Sequence, residues 1–577
     1  MAYGMMTFLN PRRLGLLAAA GLLPLCAQAQ TASQLVRPDY APATISPVRQ
    51  GLSLPATTGL DAPAGAEKLE VTPSGLTVEG GLAELSSETA RIEARLKNRR
   101  VTAADLFAAA RDLEAAYVRA GYVLVRVSLP PQTIVDGKPL RLTVTEGYVE
   151  AIDVSALPAR VQNIVQRTLQ PLTGRRNVTL QELERRLLLA GDTAGLLLRS
   201  ALQAGSQTGA TVIVVDGRHD PVTATLSLEN SLDRNLGRYS VSAGVDLNGL
   251  LGLGEVFYLR LMGYPGLDGG FFSNDPRNRQ IAGGVSMPLG TNGLWFGLEG
   301  VDSRTHPLSQ TGFTLLDHYQ RGSVRLGYKW VRSRTFNTSS QISLDLAAEK
   351  QRLAVGTSRF DWAQDQTRVL RFNQSADFYA PWGAVISGDM TASFGLDALG
   401  ARSATTSLPL TRFGAKPDFS KLDISARYSQ SFFNQRLNFQ ASGKAQTSFG
   451  DALVASEQTG LGGSEWVSAF GAGKLEGDAG AAVRAELSVP VALPLPGGFN
   501  AAAAPYVFGA AGIAKLEAAT ALETELTRAH AFGIGVRAGL SEASSPRSAT
   551  VSLEYAHGSA TGMKDTSRFN LRVMTRF

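Results

Sequence analysis

The sequence predicts a mainly β protein, a transmembrane antiparallel β-barrel of about sixteen strands preceded by two small α+β modules. Three observations carry this. Helical periodicity is confined to about residues 67–216; beyond Asp216 the chain alternates apolar and polar residues in runs of nine or ten; and the chain ends flush on an alternating strand at Phe577. The expected layout is a signal peptide over 1–29, a Pro/Ala-rich linker over 30–66, modules over 67–150 and 151–217, and the barrel over 218–577.

The N-terminus has Arg12 and Arg13, an apolar run from Leu14 to Leu25, and Ala27-Gln28-Ala29 before Gln30, the layout of a cleaved secretory signal. Acylation at Cys26 would need a small residue before it, and Leu25 is bulky. Cys26 is the sole cysteine, so the mature chain can form no disulfide, thiolate metal site or cysteine nucleophile. Pro38, Pro42, Pro47, Pro55 and Pro63 break any long helix in the linker, so a lumen plug, if this segment forms one, should be short.

In the first module Thr102 can cap a helix with Leu106, Ala110, Leu113 and Tyr117 on one face, and Gly121 can end it. A strand from Tyr122 to Leu129 and a partner from Leu140 to Thr145 should follow. The second module repeats the scheme: Ile164 and Leu169 on one helix, a capping box at Thr179 and Glu182, then Leu183, Leu187 and Leu188, and a strand from Ala210 to Val215.

In the barrel segment Tyr239 to Asn248 presents one greasy and one wet face over ten residues, a length that suits a tilted bilayer crossing, and Val324 to Trp330, Ile342 to Leu346 and Val551 to Tyr555 repeat the alternation. At around 22 residues per strand and connection, the residues from Arg218 onward supply roughly sixteen strands. A soluble sandwich would also alternate, but Phe569, Leu571 and Val573 lead without a frayed tail to the aromatic Phe577, which suits a closing barrel strand.

Chemistry of other kinds finds little support. The net charge of +6 is spread along the chain, whereas nucleic-acid binding needs a concentrated basic footprint. His219, His306, His318, His530 and His557 lack metal-ligand spacing, and Asp361 with Asp365 lacks the oxygen-rich neighbours of a calcium loop. No Walker-type loop or Gly-x-Ser-x-Gly elbow occurs. No catalytic residue, cofactor or metal is expected.

Several segments resemble one family in shared order. Ala120-Gly121-Tyr122 through Pro130, Gly137 and Glu146-Gly147 resemble the POTRA module of TpsB transporters, the outer-membrane partners of two-partner secretion in the haemolysin secretion/activation family. Leu183-Glu184-Arg185 and the turn from Asp192 to Gly195 resemble a second POTRA module. Glu229-Asn230, Asn248 to Gly254, and Arg332-Ser333-Arg334 resemble the early barrel strands. Glu457-Gln458, Leu461-Gly462-Gly463, Trp466, Val467 to Phe470, Gly477-Asp478-Ala479-Gly480 and Glu486-Leu487 resemble the loop, expected here at about 460–485, that folds back into the lumen.

The resemblance implies an outer-membrane pore exporting a β-rich, TpsA-like partner protein, with periplasmic POTRA modules pairing with the extended substrate and the inward loop gating the lumen. It further implies contact with outer-membrane lipid and with the barrel-assembly machinery during biogenesis, and no nucleic acid. A barrel insertase and a porin or polysaccharide conduit are the alternatives.

The chain departs from the family at two linked places. Where the loop normally reads Val-Arg-Gly-Tyr or Val-Arg-Gly-Phe, it reads Val467-Ser468-Ala469-Phe470. The wall strand that normally offers an aspartate reads Phe508-Gly509-Ala510-Ala511-Gly512. Losing one partner would strand a buried charge at about 3–5 kcal/mol, whereas losing both can be near neutral. The expected replacements are Trp466 and Phe470 as apolar anchors and Asp478 or Arg484 as polar ones.

Overall fold

A computed structural model describes residues 31–42, 52–53, 60–308, 312–496, 499–542 and 547–577. The expected signal peptide, with Arg12, Arg13 and Cys26, lies outside the described residues, as do linker residues 43–51 and 54–59.

In the first α+β unit, helices α1 (Ser86–Leu96) and α2 (Ala103–Arg119) pack on a three-stranded sheet of Leu76–Glu79, Leu140–Thr145 and Arg126–Ser128. Thr102 caps α2 through a full capping box with Asp105, while Leu106, Ala110, Leu113 and Tyr117 form the buried stripe. Gly121 ends the helix at φ +97°, where a Cβ would be strained. The strand expected from Tyr122 is shorter, Arg126–Ser128. Tyr122 to Val125 turn instead, so that Val123 and Leu124 enter the core of the second unit. Gly147 makes that junction possible, since a Cβ there would lie 2.0 Å from the Leu124 carbonyl oxygen.

The second unit packs helices α3 (Ala159–Leu169) and α4 (Leu180–Gly191) on strands Tyr148–Asp153, Ala210–His219 and Leu196–Ala204. The capping box is only half made. Thr179 accepts from the Glu182 amide at 3.3 Å, but the Glu182 carboxylate pairs with Arg175. The Leu196–Ala204 edge is covered by linker residues 52–53, paired in parallel with Ser200 and Ala201.

Among the described residues sixteen antiparallel strands close into a barrel. They are β1 (Val222–Glu229), β2 (Ser240–Asn248), β3 (Val256–Gly263), β4 (Asn278–Pro288), β5 (Leu294–Thr305), β6 (Phe313–Arg332), β7 (Phe336–Val355) and β8 (Ser358–Tyr379). The second half comprises β9 (Ala384–Gly395), β10 (Ser420–Phe432), β11 (Leu437–Thr447), β12 (Ala479–Ser488, continued by Val491–Pro494), β13 (Phe499–Lys515), β14 (Leu526–Glu542), β15 (Ser548–Ala560) and β16 (Thr566–Arg576). Closure joins β1 to β16 from Thr225↔Arg576 to Glu229↔Arg572. Phe577 completes it by reciprocal bonds with Ala224 at 2.9 and 3.2 Å.

Alternation sorts the wall. Val324, Leu326, Ile342, Leu553 and Phe569 are exposed on the outer face, whereas Arg325, Asp345 and Glu554 are buried on the inner one. Strands β6 to β8 run for 20 to 22 residues, about twice what a bilayer crossing needs.

The second unit is docked on the barrel mouth. Asp192 meets Lys329 at 2.7 Å and Arg332 at 3.0 Å, and Arg185 donates to the carbonyls of Asn292, Lys329 and Trp330. Glu184 faces Arg334 at 3.4 Å. Two separate motifs of the sequence, Leu183-Glu184-Arg185 with Asp192 and Arg332-Ser333-Arg334, are therefore the two sides of one junction.

Candidate functional site

The lumen holds two segments that belong to no barrel strand. The first is the loop from β11 to β12, residues 448–478. Its walls are strands whose inward positions are small or charged, so side chains from the loop can fill the space between them. Leu461, Val467, Ala469, Phe470 and Leu475 form one buried cluster with Tyr506, Phe508, Ala510, Ala531 and Ala556 of the wall. Phe470 is an anchor, and Trp466 is half-buried beside Lys444, whose Nζ lies 5.2 Å from the ring.

The backbone of the loop is tied as a tight hairpin. Gly463 donates to the Phe470 carbonyl at 2.9 Å, and Val467 to the Leu461 carbonyl at 3.0 Å. Gly462 has no room for a side chain, since a Cβ would sit 2.2 Å from the Gly471 carbonyl oxygen. Gly477 pairs with Thr459 in a short two-stranded ladder.

Two carboxylates fasten the loop's ends. Glu457 is buried and accepts from Arg371 at 2.6 and 3.0 Å, with Lys421 at 3.1 Å. Asp478 is fully buried and accepts from the Leu453 amide at 3.1 Å, Gln458 at 3.0 Å and the Glu517 amide at 2.7 Å, with Arg412 at 3.4 Å. The expected loop boundary is corrected here. Gly480 and Arg484 lie in β12, paired with Ala514 and Ala510 of β13, because alternation resumes at Ala479.

Arg484 reaches from the wall into the loop. Its Nη1 donates to Ser468 Oγ at 3.1 Å and to the Trp466 carbonyl at 3.3 Å. Its Nε donates to Glu486 at 2.7 Å, its Nη2 pairs with Glu554, and its guanidinium carbon lies 3.8 Å from the Phe508 ring centre. Asn570 of β16 donates to the Ser468 carbonyl at 3.0 Å. Ala510 and Phe508 face the lumen, and Gly512 lies against Leu461, where a Cβ would be 3.1 Å from its Cδ1.

The second segment is residues 31–42. The reading of 30–66 as one extended linker is corrected for this part, which enters the lumen with a single 3-10 turn, Ser33–Leu35. Within residues 31–42 that turn is the only helical element. Ala32 N donates to Asp317 at 2.9 Å and Ser33 Oγ to Glu349 at 2.6 Å, while Ser303 donates to the Ala32 carbonyl at 2.8 Å. Tyr40 donates through its amide to Glu299 and through its hydroxyl to Gln280, both at 2.9 Å, and Asp39 pairs with Arg325 at 2.7 Å. Gln34 donates to Glu476, so the two lumen segments touch.

Sequence reasoning singled out the loop but missed the seat of residues 31–42, chiefly Glu299, Asp317, Arg325 and Glu349. The available signal was their charge on the inward face of long strands. Gly121, Tyr122, Glu146 and Gly147 lie at the turn between the α+β units, away from the lumen. Among the described residues no cluster of three or more His, Cys, Asp or Glu is arranged to hold a metal ion.

Residues 209–538 match the family described as haemolysin secretion/activation protein ShlB/FhaC/HecB, and residues 71–147 match the ShlB-type POTRA domain. The outer membrane transporter CdiB of Escherichia coli (strain 536 / UPEC) is 27% identical over 241 residues, 41% of this chain and 39% of that protein. The heme/hemopexin transporter protein HuxB of Haemophilus influenzae is 26% identical over 180 residues, 31% of this chain and 32% of that protein. The aligned stretches thus span well under half of those relatives. The solved structure of CdiB from Escherichia coli matches 99% of this chain and 100% of that chain with a TM-score of 0.66 at 20% identity. CdiB from Acinetobacter baumannii matches with a TM-score of 0.58 at 15% identity, over 98% and 97%. Both structural matches concern the fold.

Proposed function

From the premise that this chain belongs to the haemolysin secretion/activation protein ShlB/FhaC/HecB family of outer-membrane transporters, we propose that it exports a partner protein from the periplasm to the cell surface or medium. Its POTRA units are periplasmic, and its barrel lies in the outer membrane.

The observation that carries the reading is the filling of the lumen by two segments that are not part of the wall, beneath which the POTRA arm is docked. Neither segment is paired into the wall; residues 31–42 are held chiefly by hydrogen bonds and ion pairs, and the loop by these together with its apolar cluster, so both can leave without breaking a barrel strand. An extended polypeptide needs that cleared lumen. The POTRA units supply sheet edges, and pairing with an edge satisfies the backbone of almost any extended sequence. The cargo is then a chain kept unfolded in the periplasm, of the β-rich TpsA-like class, and the inward loop gates its passage. The barrel itself would reach the membrane through the barrel-assembly machinery, with lipid around its outer wall. No step in this scheme calls for a catalytic residue or a cofactor.

Comparative proteomics of medium and outer membrane, with and without the gene, tests the reading. Loss of one large secreted protein with unchanged barrels supports export. Loss of many barrels together would point to an insertase, and unchanged secretion would overturn export.

A further inference from the structure

A shallow trough of about 580 Å³ crosses the outer wall between β3 and β8. Its floor is three glycines, Gly283, Gly300 and Gly322, paired directly opposite one another on β4, β5 and β6. Leu259 and Leu346 continue the row on either side, and Arg368 of β8, opposite Leu346, closes its far end. Parity fixes the face: Glu299, Ser303, Asp317 and Glu349, one step out of phase, contact residues 31–42 inside the lumen. The glycines therefore face the membrane.

The fold does not require these glycines. A Cβ at Gly300 or Gly322 would meet no heavy atom within 4 Å, and neither residue has a positive φ. Glycine weakens a strand interior and recurs where another molecule approaches the backbone closely.

Four residues further from the periplasmic end, at about 13 Å, a second outward row reads Arg279, Arg304, His318 and Lys350, again in register across four strands. Like charges directly opposite destabilise a sheet. Carboxylates answer part of this charge: Asp302 meets His318 at 2.7 Å and Arg304 at 3.3 Å, and Asp361 meets Lys350 at 2.9 Å. Arg279 has no carboxylate at ion-pair distance among the described residues. Its Nη1 donates only to the Phe271 and Ser273 carbonyls, and its Nε is buried without a hydrogen-bond partner.

We propose that this face binds a phosphorylated glycolipid of the outer leaflet, with an acyl chain in the glycine trough and phosphate on the Arg279 to Lys350 row. The occupant must be apolar at one end and anionic at the other. The POTRA units mark the periplasmic end, so the basic row lies at the outer leaflet. Asp302 and Gln320, which line the trough just below that row, are placed to hydrogen-bond sugar hydroxyls. Free phosphate would leave the trough empty.

The test is native mass spectrometry of the full-length protein in detergent with added bis-phosphorylated lipid A. Fully dephosphorylated lipid A, phosphatidylglycerol and inorganic phosphate serve as the other probes. Two variants are compared: Arg279→Gln with Lys350→Gln, and Gly300→Val with Gly322→Val. Each double variant should bind lipid A about tenfold more weakly while keeping the heat-dependent gel mobility of a closed barrel, and wild-type protein should discriminate against the dephosphorylated lipid by a similar factor. Unchanged binding in the glycine variant would overturn the trough, and this variant still decides if the charge variant fails to fold. Equal binding of phosphatidylglycerol, or displacement of lipid A by inorganic phosphate, would overturn the glycolipid.

Discussion

Arg484 of strand β12 donates to Ser468 Oγ of the inward loop at 3.1 Å, so the cation at this contact comes from the wall and the loop supplies a neutral acceptor. Directly opposite Arg484 across the sheet is Ala510, whose small side chain leaves room for the guanidinium. Glu486 and Glu554 provide its counter-charge from β12 and β15. The wall therefore supplies both the cation and its counter-charges, and the loop only hydrogen-bond acceptors.

Replacing Arg484 with alanine should release the loop. It leaves the buried Glu554 without its cation, at a cost of about 3–5 kcal/mol, while Glu486 keeps Arg537 at 2.7 Å. Planar-bilayer recordings should show more frequent or larger openings than wild type, and protease should cut the loop faster. Adding Ser468→Arg and Ala510→Asp to that variant should restore the closed state, since it supplies the contact in the opposite sense. Arg484→Lys, which keeps the charge but not the fork, should fall between.

Deleting residues 31–42 should raise conductance while leaving the barrel folded. Asp317 and Glu349 lose donors from Ala32 and Ser33, but the vacated lumen admits water that replaces them. A deletion that leaves conductance unchanged would mean that the loop alone closes the pore.

Asp192→Ala should loosen the POTRA arm. It strands Lys329 and Arg332 and costs about 1–3 kcal/mol at the junction. Spin labels on the second unit and on a periplasmic barrel turn should report a broader distance distribution, with the barrel's thermal stability little changed.

The link between the second unit and the first barrel strands should respond to acid. Burial pushes the pKa of His219 below its ordinary value, with Asp220 and Glu255 opposing and Arg160 reinforcing the shift; the imidazole Nε2 is buried without a partner. A base with a depressed pKa contributes stability at neutral pH and loses it as pH falls below its ordinary value toward the depressed one. Protection factors in the second unit, corrected for intrinsic exchange, should fall between pH 7.5 and 5.5, and His219→Asn should flatten that dependence.

Much of the wall was legible in sequence because strand alternation is a local rule. Leu326, Ile342 and Phe569 outside, with Arg325 and Glu554 inside, follow from a period of two. Helix caps are equally local, which is why Thr102 was readable. Glu182 was not, because its carboxylate found Arg175 and left the capping box half made. The loop boundary near 485 misread β12, whose small residues Ala479 to Ala482 resemble loop sequence until their pairing with β11 and β13 is known.

The sequence by itself determined the order of helical and alternating segments and the faces of the strands, because each depends on neighbours a few residues apart. Only the tertiary structure decided what meets in the lumen. Ser33 and Glu349 are 316 residues apart, and Arg484 and Glu554 are 70 apart. Such contacts arise when sheet closure brings distant inward positions around one axis, and no local pattern encodes which two will touch.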